Sequence, residues 1–206
     1  MKLFVLLYKI IKRIFTSIDS SYSWINTWLK FTLNRIAFSN DFTANGRSII
    51  NINLKASCTF GKKLVINSGP YHNVIGGQQK CFFYAGPGAK LLIGDHVGIS
   101  CSAIICNDEI IIEDLVKIGA NVAIYDSDFH SLNPAERNNI PEIYNIKTKK
   151  VLVKQGAFIG ANSIILKGVT IGKNSIVGAG SVVAKDIPDF EIWGGNPACL
   201  IKKIDG

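Results

Sequence analysis

The sequence predicts an all-β protein that is wound as a parallel β-helix, and a six-residue repeat is the first observation that predicts it. From Ile93 to Ile187 an aliphatic residue recurs every six positions, with one slip of a single residue and one long interruption. A period of six matches neither an α-helix nor a long β-strand. It matches a solenoid in which one strand and one turn use six residues and three such units close a triangular coil. The repeated positions are Ile93, Ile99, Ile105, Ile112, Ile118, Ile124, Val153, Ile159, Ile165, Ile171, Val177 and Val183.

The second observation is a mostly small residue four places after each aliphatic position. Glycine also recurs directly after the aliphatic residue, for example at Gly119, Gly160 and Gly178, where a tight corner would leave little room for a Cβ atom. Both features have the same period, so we expect residues 93–188 to form a regular solenoid. The small positions are Val97, Ala103, Val116, Val122, Ala157, Ser163, Val169, Ser175 and Ser181.

The third observation is the interruption, which begins at His130 and ends near Val153. It contains the turn-forming residues Pro134, Asn138, Asn139 and Pro141. We therefore expect residues 130–152 to protrude from the coil as a loop. A long loop that leaves a rigid scaffold beside a histidine is a typical place for a functional site.

Two motifs give the chain a family resemblance. The first is Tyr-Asp-Ser-Asp-Phe-His-Ser-Leu-Asn-Pro at residues 125–134, and the second is Gly-Ala-Gly-Ser-Val-Val-Ala-Lys-Asp-Ile-Pro at 178–188, followed by Gly-Asn-Pro-Ala at 195–198. From about residue 73 to 204 the chain resembles the hexapeptide-repeat acyltransferases, most closely the capsule and lipopolysaccharide O-acetyltransferases and the maltose and galactoside acetyltransferases. The resemblance implies a left-handed coil, which periodicity alone does not predict.

The same resemblance implies that His130 is a general base. Neutral histidine can take a proton from an alcohol near neutral pH. Asp126 and Asp128 are both near enough in sequence to orient it. The residues themselves leave other interpretations open: His130 could be a turn residue, either acid could cap the turn, and a backbone carbonyl could orient the ring.

The implied acyl donor is acetyl-CoA, whose pantetheine arm in the resembling enzymes lies along the last coils. The matching donor positions here are Phe158, Ala161, Ala179, Lys185 and Lys202. Lys185 is equally well explained as part of a solvated face. The resemblance also implies a carbohydrate acceptor. Ser102 stands at the acceptor-binding position, where the sugar acetyltransferases have an asparagine, and this departure leaves the identity of the acceptor open.

The histidines and cysteines do not predict a metal site. The histidine nearest to His130 is His96, 34 positions away, whereas zinc-dependent hexapeptide proteins place two histidines a few residues apart. The five cysteines are odd in number and lack a Cys-x-x-Cys spacing. We expect each of them to be a small buried apolar residue in a reducing, cytoplasmic protein.

Residues 1–38 differ from the rest of the chain. They predict an amphipathic helix with four basic residues opposite its apolar face, and they hold six basic residues and one acid, a net charge of +5 out of +8 for the whole chain. The apolar run is interrupted too early for a membrane span or a signal peptide. Two interpretations stay open: the helix lies on an anionic membrane at its inner face, or its apolar face packs on the solenoid or a sister subunit. The apolar face contains Leu3, Leu7, Ile10, Ile11, Ile14, Phe15 and Ile18.

The sequence predicts four segments and one enzymatic activity. Residues 1–38 form the amphipathic segment, 39–92 irregular early coils that cap the solenoid, 93–188 the β-helix, and 189–206 a C-terminal tail. The expected activity is acetyl-CoA-dependent O-acetylation of a sugar hydroxyl on a bacterial surface polysaccharide or its precursor, by a homotrimer. The alternatives are N-acetylation of an amino sugar nucleotide and a non-catalytic scaffold. No nucleic-acid-binding motif is present.

Overall fold

The strands and helices follow one another in the order of a coiled ribbon, and the computed structural model describes residues 2–73, 75, 79–138 and 146–204. One long helix precedes the strands and one short helix interrupts them. The elements are α1 (Lys2–Leu33), β1 (Ala37–Phe38), β2 (Phe42–Asn45), β3 (Ile49–Ile52), β4 (Ser57–Phe60), β5 (Leu64–Asn67), β6 (Phe82–Ala85), β7 (Lys90–Ile93), β8 (Gly98–Ser100), β9 (Ala103–Cys106), β10 (Glu109–Ile112), β11 (Lys117–Ile118), β12 (Ala123–Tyr125), α2 (Pro134–Arg137), β13 (Val151–Val153), β14 (Phe158–Ile159), β15 (Ile164–Ile165), β16 (Thr170–Ile171), β17 (Ile176–Val177), β18 (Val182–Val183), β19 (Glu191–Gly194) and β20 (Cys199–Lys203).

Three sheets form the sides of the coil. Their strand orders are β1-β4-β7-β10-β13-β16, β2-β5-β8-β11-β14-β17-β19-β20 and β3-β6-β9-β12-β15-β18, so each strand pairs with the third strand along the chain until the last coil. All strand pairs formed among β1 to β18 are parallel. For example, Ile118 lies opposite Ile99 of the preceding coil and Ile159 of the following coil. This arrangement is the predicted parallel β-helix.

The interior is a stack of the repeated aliphatic residues. Ile99, Ile124, Ile159 and Ile171 are fully buried, as the six-residue repeat predicts. Four of the five cysteines are buried with them, and burial raises the pKa of the Cys81 thiol to about 12. The fifth, Cys199, is exposed on β20, so the expectation of a buried cysteine is wrong there.

One inward position differs from the prediction by a single residue. Ile104, not Ile105, is the buried residue that pairs with Ile124, and Ile105 lies half-buried on the outer face. The preceding corner explains the shift, because Ile99 pairs with Ile118 and Ile104 pairs with Ile124, so that five positions here match six in the next coil. Cys101 and Ser102, which form this corner, are both buried. The corner is therefore one residue shorter than the repeat predicts. The small inward residue is accordingly Ser102, and Ala103 is half-buried in the outward direction.

Residues 37–67 are more regular than expected. Strands β1 to β5 lie in the same three sheets as the later strands, and β3 pairs with β6 over four residues from Ile49 to Ile52. No change of architecture marks residue 93. The cap over the first coil comes instead from α1, where Phe31 is fully buried against Phe38, Phe42 and Phe60 with ring centroids 5.1 to 5.5 Å apart.

The helix α1 covers the open end of the first coil, where it packs on strands β1 and β2 and forms hydrogen bonds to residues 46–52 around strand β3. The Gly46 amide, just before β3, donates to Ser23 Oγ at 3.1 Å, and Lys30 Nζ donates to the Ser48 carbonyl at 2.7 Å. At the other end of the strand, the Ile52 amide donates to Asn34 Oδ1 at 3.2 Å. These bonds satisfy backbone groups of the first coil that have no further coil to pair with.

The face of α1 that packs on the coil is not the predicted apolar face. Ser23, Thr27 and Phe31 are the buried residues of the helix. All seven residues of the predicted apolar face, from Leu3 to Ile18, are exposed in the described part of the chain, so packing of that face on its own solenoid is wrong. The helix itself is confirmed, and no helix among the described residues is long and apolar enough to span a membrane.

Candidate active site

His130 lies where the chain leaves the coil after strand β12. The strand ends at Tyr125, and in the turn that follows Phe129 has a left-handed backbone (φ 62°). His130 is exposed, while the ring of Phe129 lies edge-on to that of Tyr125 with centroids 5.1 Å apart. The loop continues through helix α2, whose first turn is capped by Asn133 Oδ1. The predicted turn residues Asn139 and Pro141 lie outside the described residues.

Asp126 is directed into the protein. Its side chain is fully buried and accepts hydrogen bonds from the Asn107 and Asp108 amides of the coil below, at 2.8 to 3.0 Å. Burial raises the pKa of this carboxyl above its ordinary value, and the two backbone hydrogen bonds oppose the rise. These contacts describe a turn-capping carboxylate.

Asp128 is the acid closer to the loop surface. Its carboxylate forms an ion pair with Lys167 Nζ at 2.9 Å, and its amide donates to the Lys147 carbonyl at 3.2 Å. Lys167 follows β15, one coil further on. The sequence reasoning missed Lys167, because nothing in the chain shows that it lies in register with the Tyr125–His130 motif.

A pocket of about 290 Å³ lies beside the root of the loop. Three aromatic side chains, one aliphatic side chain and one amide side chain line it. We call it the Phe129 pocket, after the lining residue that directly precedes His130. The lining residues come from β6, β9 and the two turns that follow β9 and β12: Phe82, Tyr84, Ile105, Asn107 and Phe129. The sequence did not predict Phe82, Tyr84, Ile105 or Asn107 as site residues. The two aromatic residues Phe82 and Tyr84, at alternate positions of one strand, could have indicated an aromatic surface.

The predicted donor positions Ala161 and Ala179 lie one above the other at the corner before β15 and β18. A Cβ atom on Gly119 would come within 2.7 Å of the Ala161 nitrogen, and one on Gly160 within 2.5 Å of the Ala179 nitrogen. Glycine is therefore required for this close stacking. Neither the Ala161 nor the Ala179 amide donates to another group in the described part of the chain. Two such amides about 4.8 Å apart suit an extended ligand that carries carbonyl groups.

The other donor positions lie on the outer surface of the last coils. Phe158 is 45% exposed on β14, and Lys185 and Lys202 are exposed, the second on β20 opposite Ile192. Lys185 lies in register with Lys167, since Ile165 pairs with Val183. Its ammonium group thus belongs to the same corner as Asp128, one coil beyond Lys167.

Ser102 is placed differently from the other predicted residues. It is fully buried, and its hydroxyl lies 2.7 Å from both the Ser100 and the Gly119 carbonyl oxygens inside a corner of the coil. Its small side chain fills the corner that the inward serines Ser163 and Ser181 fill in later coils.

The structure does not bring all predicted residues into one cluster. Ala161 and Ala179 precede strands of the third sheet, whereas Asp128 and His130 follow a strand of that sheet. The strands between them have two or three residues, so the two groups are on the order of 10 Å apart across the sheet. Among the described residues no group of three or more His, Cys, Asp and Glu side chains could hold a metal ion.

Comparison with known proteins extends these observations. The profile described as "Bacterial transferase hexapeptide (six repeats)" matches residues 150–185. The chain carries the bacterial transferase hexapeptide repeat. The resemblance predicted from the motifs is thereby confirmed, and so is the left-handed parallel β-helix.

Three relatives illustrate the range of hexapeptide proteins to which the chain is similar. It is 56% identical to Protein CapG of Staphylococcus aureus over 69 residues, which is 34% of this chain and 39% of that protein. It is 37% identical to the galactoside O-acetyltransferase of Lactococcus lactis over 136 residues, 62% of each chain. These matches span less than two thirds of either curated relative. Among solved structures, AntD, an N-acyltransferase from Bacillus cereus in complex with dTDP and coenzyme A, is 27% identical with a TM-score of 0.62, covering 82% of this chain and 83% of that one.

Proposed function

We propose that this protein transfers an acetyl group from acetyl-CoA to a hydroxyl of a sugar that belongs to a bacterial surface polysaccharide or its precursor. The observation that carries the proposal is the position of His130, exposed at the root of a loop beside the Phe129 pocket. A general base must reach the proton that it removes, and an aromatic pocket offers the apolar faces of a sugar a surface to stack on.

The donor side of the proposal rests on the last coils. The stacked amides of Ala161 and Ala179 would bind the carbonyl groups of the pantetheine arm, and the exposed Phe158 would cover it. Lys202, exposed on β20, would meet the phosphates. Lys185 is exposed as well but lies at the Asp128 corner, so in a site shared between chains it would come from the chain that supplies that corner. AntD was solved in complex with coenzyme A, which supports coenzyme A as the carrier of the acyl group.

In the proposed reaction His130 takes the proton of the sugar hydroxyl. The hydroxyl oxygen forms a bond to the thioester carbonyl carbon, the carbon–sulfur bond breaks, and the proton passes from His130 to the departing thiolate. Asp128, held by Lys167, orients the loop that carries His130. Asp126 holds the turn, and we leave the buried Ser102 out of the acceptor site.

We call the stacked pair Ala161 and Ala179 the Ala161 column. Its separation from His130 in one chain supports a homotrimer in which each site lies between two subunits. Because one chain keeps these groups at opposite ends of short strands, a neighbouring chain would have to supply one of them. The trimer belongs to the proposal.

The test compares two histidine variants. His130→Asn should keep its fold and its affinity for coenzyme A and lose roughly 10²- to 10⁴-fold in turnover, measured as thiol release with acetyl-CoA and a galactoside acceptor. His96→Asn is the matched control, because His96 lies in a corner of another coil and asparagine tolerates its left-handed backbone (φ 58°). Activity of the His130 variant within about threefold of the parent would mean that the base is another group.

Two other functions give different results in the same assays. N-acetylation, suggested by the likeness to AntD, would release thiol only with an amino sugar linked to dTDP. A non-catalytic scaffold would release none with either acceptor, and coenzyme A would leave its melting temperature unchanged.

A further inference from the structure

A continuous apolar stripe runs along the outside of α1 for its whole length. Its members recur at steps of four, four and three residues, an eleven-residue repeat that follows one side of a nearly straight helix. Every member is between 44% and 76% exposed. The α1 stripe consists of Leu3, Leu7, Ile11, Ile14, Ile18, Tyr22, Ile25, Leu29 and Leu33.

The α1 stripe faces away from the solenoid. The residues that pack on the coil, Ser23, Thr27 and Phe31, lie on the opposite side of the same helix. Since the opposite face of α1 covers the end of the coil, the stripe is directed out from that end. No described part of the chain covers it.

Before the helix reaches the coil, the apolar surface is wider than a stripe. Phe4, Tyr8, Ile10 and Phe15 flank it and are all exposed, so that the apolar arc covers nearly half of the helix circumference in residues 2–18. A contact between two helices needs only a narrow seam. A broad arc with aromatic residues is typical of a helix that lies flat in the interface of a lipid bilayer.

The charges around the stripe are positive. Lys2, Lys9, Lys12 and Arg13 occupy the face opposite the stripe, and Asp19, the one acid of the helix, lies 2.9 Å from His72. A groove of about 500 Å³ beside the helix is lined by three basic residues, Lys12, Arg47 and Lys80, among others.

The basic groups at this end of the molecule lie close enough together that their positive charges repel one another. The pKa of Lys30 lies below its ordinary value, first because of burial and then because of the nearby charges of Lys80 and Arg47. A second copy of the same helix would bring more positive charge to this surface, whereas anionic lipid headgroups would neutralise it.

We infer that α1 binds the solenoid to an anionic lipid bilayer, with the α1 stripe in the acyl boundary and Lys2, Lys9, Lys12 and Arg13 among the headgroups. The helix lies on the membrane and does not cross it. The inference is independent of the reaction at His130, since a catalytically inactive variant keeps the same helix.

The first experiment is flotation of the full chain with vesicles. The protein should float with an equal mixture of phosphatidylcholine and phosphatidylglycerol and float poorly with phosphatidylcholine alone. The double substitution Leu7→Ser and Ile14→Ser should weaken binding by about tenfold or more. Leu115→Ser with Leu200→Ser is the matched control, because these two leucines are as exposed (48% each) but lie elsewhere on the coil.

The second experiment separates charge from apolar contact. Replacing Lys9, Lys12 and Arg13 by glutamine should weaken binding to the anionic vesicles by between about 10- and 100-fold. Replacing the exposed Lys63, Lys90 and Lys173 by glutamine changes the net charge equally and should leave binding nearly unchanged. Salt should release the parent protein in part as the screening length shortens from about 10 Å at 0.1 M to about 3 Å at 1 M.

Three results would overturn the inference. One is a parent protein that does not float with the anionic vesicles, and another is a stripe variant that floats as well as the parent. The third is a stripe variant whose mass in light scattering, without vesicles, is lower than that of the parent, because the stripe would then join copies of the chain. The His130→Asn variant should float like the parent, which keeps this test separate from that of the proposed reaction.

Discussion

The backbone amide of Asn107 donates to both carboxylate oxygens of Asp126, at 2.8 and 3.0 Å. The two residues belong to neighbouring coils, and the Asn107 side chain adds a hydrogen bond to Ser127 Oγ at 2.9 Å. The coil that carries His130 is therefore tied to the coil that lines the Phe129 pocket. Because Asp126 is fully buried, we expect the contribution of these hydrogen bonds to stability to depend on pH.

Asp126→Asn should change how stability varies with pH. The folded-state pKa of Asp126 lies above its ordinary value because of burial, so the folded protein binds more protons than the unfolded chain between the two values. The contribution of this carboxyl to the free energy of unfolding is full below the ordinary pKa and is lost as the pH rises through the folded-state pKa. Urea unfolding between about pH 3 and about pH 7 should show that the variant lacks this decrease.

Asp189→Asn serves as the control with the opposite sign. The pKa of Asp189 lies below its ordinary value because its carboxylate accepts from the Lys173 amide and from Lys154 Nζ. Its contribution is present above the ordinary pKa and is lost as the pH falls through the folded-state pKa. Identical pH profiles for the Asp126 variant and the parent would contradict the assignment of a raised pKa.

Ile104→Ala and Ile105→Ala should differ in stability although they are neighbours of the same type. Ile104 is fully buried, and its truncation should cost roughly 2–5 kcal/mol through the cavity that remains. Ile105 is half-buried on the pocket, so its truncation should cost about 1 kcal/mol. Denaturant unfolding measures both, and equal losses would show that the inward register is not as described.

Phe31→Ala should uncap the solenoid. Its ring is fully buried among three other phenylalanines, so the loss should be roughly 3–5 kcal/mol, and the exposed edge of the first coil should make the protein prone to association. Phe4→Ala, at a 76% exposed position of the same helix, should change stability by within about 0.5 kcal/mol. Thermal unfolding and light scattering check both variants. A Phe31 variant as stable as the Phe4 variant would contradict the capping role.

Light scattering should give a mass of three times 22.5 kDa for the parent protein at micromolar concentration. The expectation follows from the proposed site, which needs a second chain to join His130 to the Ala161 column. A mass of 22.5 kDa would contradict both the trimer and the shared site. The measurement is made without lipid, so that α1 has no vesicle to bind.

The repeat predicted most of the coil because its period has a direct physical cause. An inward residue every six positions is what a triangular solenoid with one core needs, and Ile118, Ile159 and Ile171 follow it. The prediction was wrong at Ile105 because the corner between Ile99 and Ile104 has one residue fewer than the paired corner between Ile118 and Ile124, and a period cannot show where such a corner lies. The first coils were harder to predict because their inward residues, such as Phe60 and Cys81, are not the aliphatic residues of the repeat.

The candidate site was predictable only in part. The motif around His130 is local, so the sequence shows it, whereas the Phe129 pocket and the Asp128–Lys167 ion pair depend on register between coils. Asp126 and Asp128 are two positions apart and look equivalent in the sequence. In the structure one is buried under the turn and the other lies at the loop, because strand β12 ends at Tyr125 and both acids belong to the turn that follows it.

Because the coils pair regularly, the number of coils between two residues fixes the distance between them along the solenoid axis. Strands β3, β6, β9 and β12 follow one another in one sheet, so three interstrand spacings, or roughly 14 Å, separate the strand of this sheet in the first coil, which α1 covers, from the strand that leads to His130. A chain with one more or one fewer coil between them would carry the same histidine about 4.8 Å higher or lower above whatever surface α1 rests on. The number of coils before residue 125 therefore sets the height at which an acceptor must be presented.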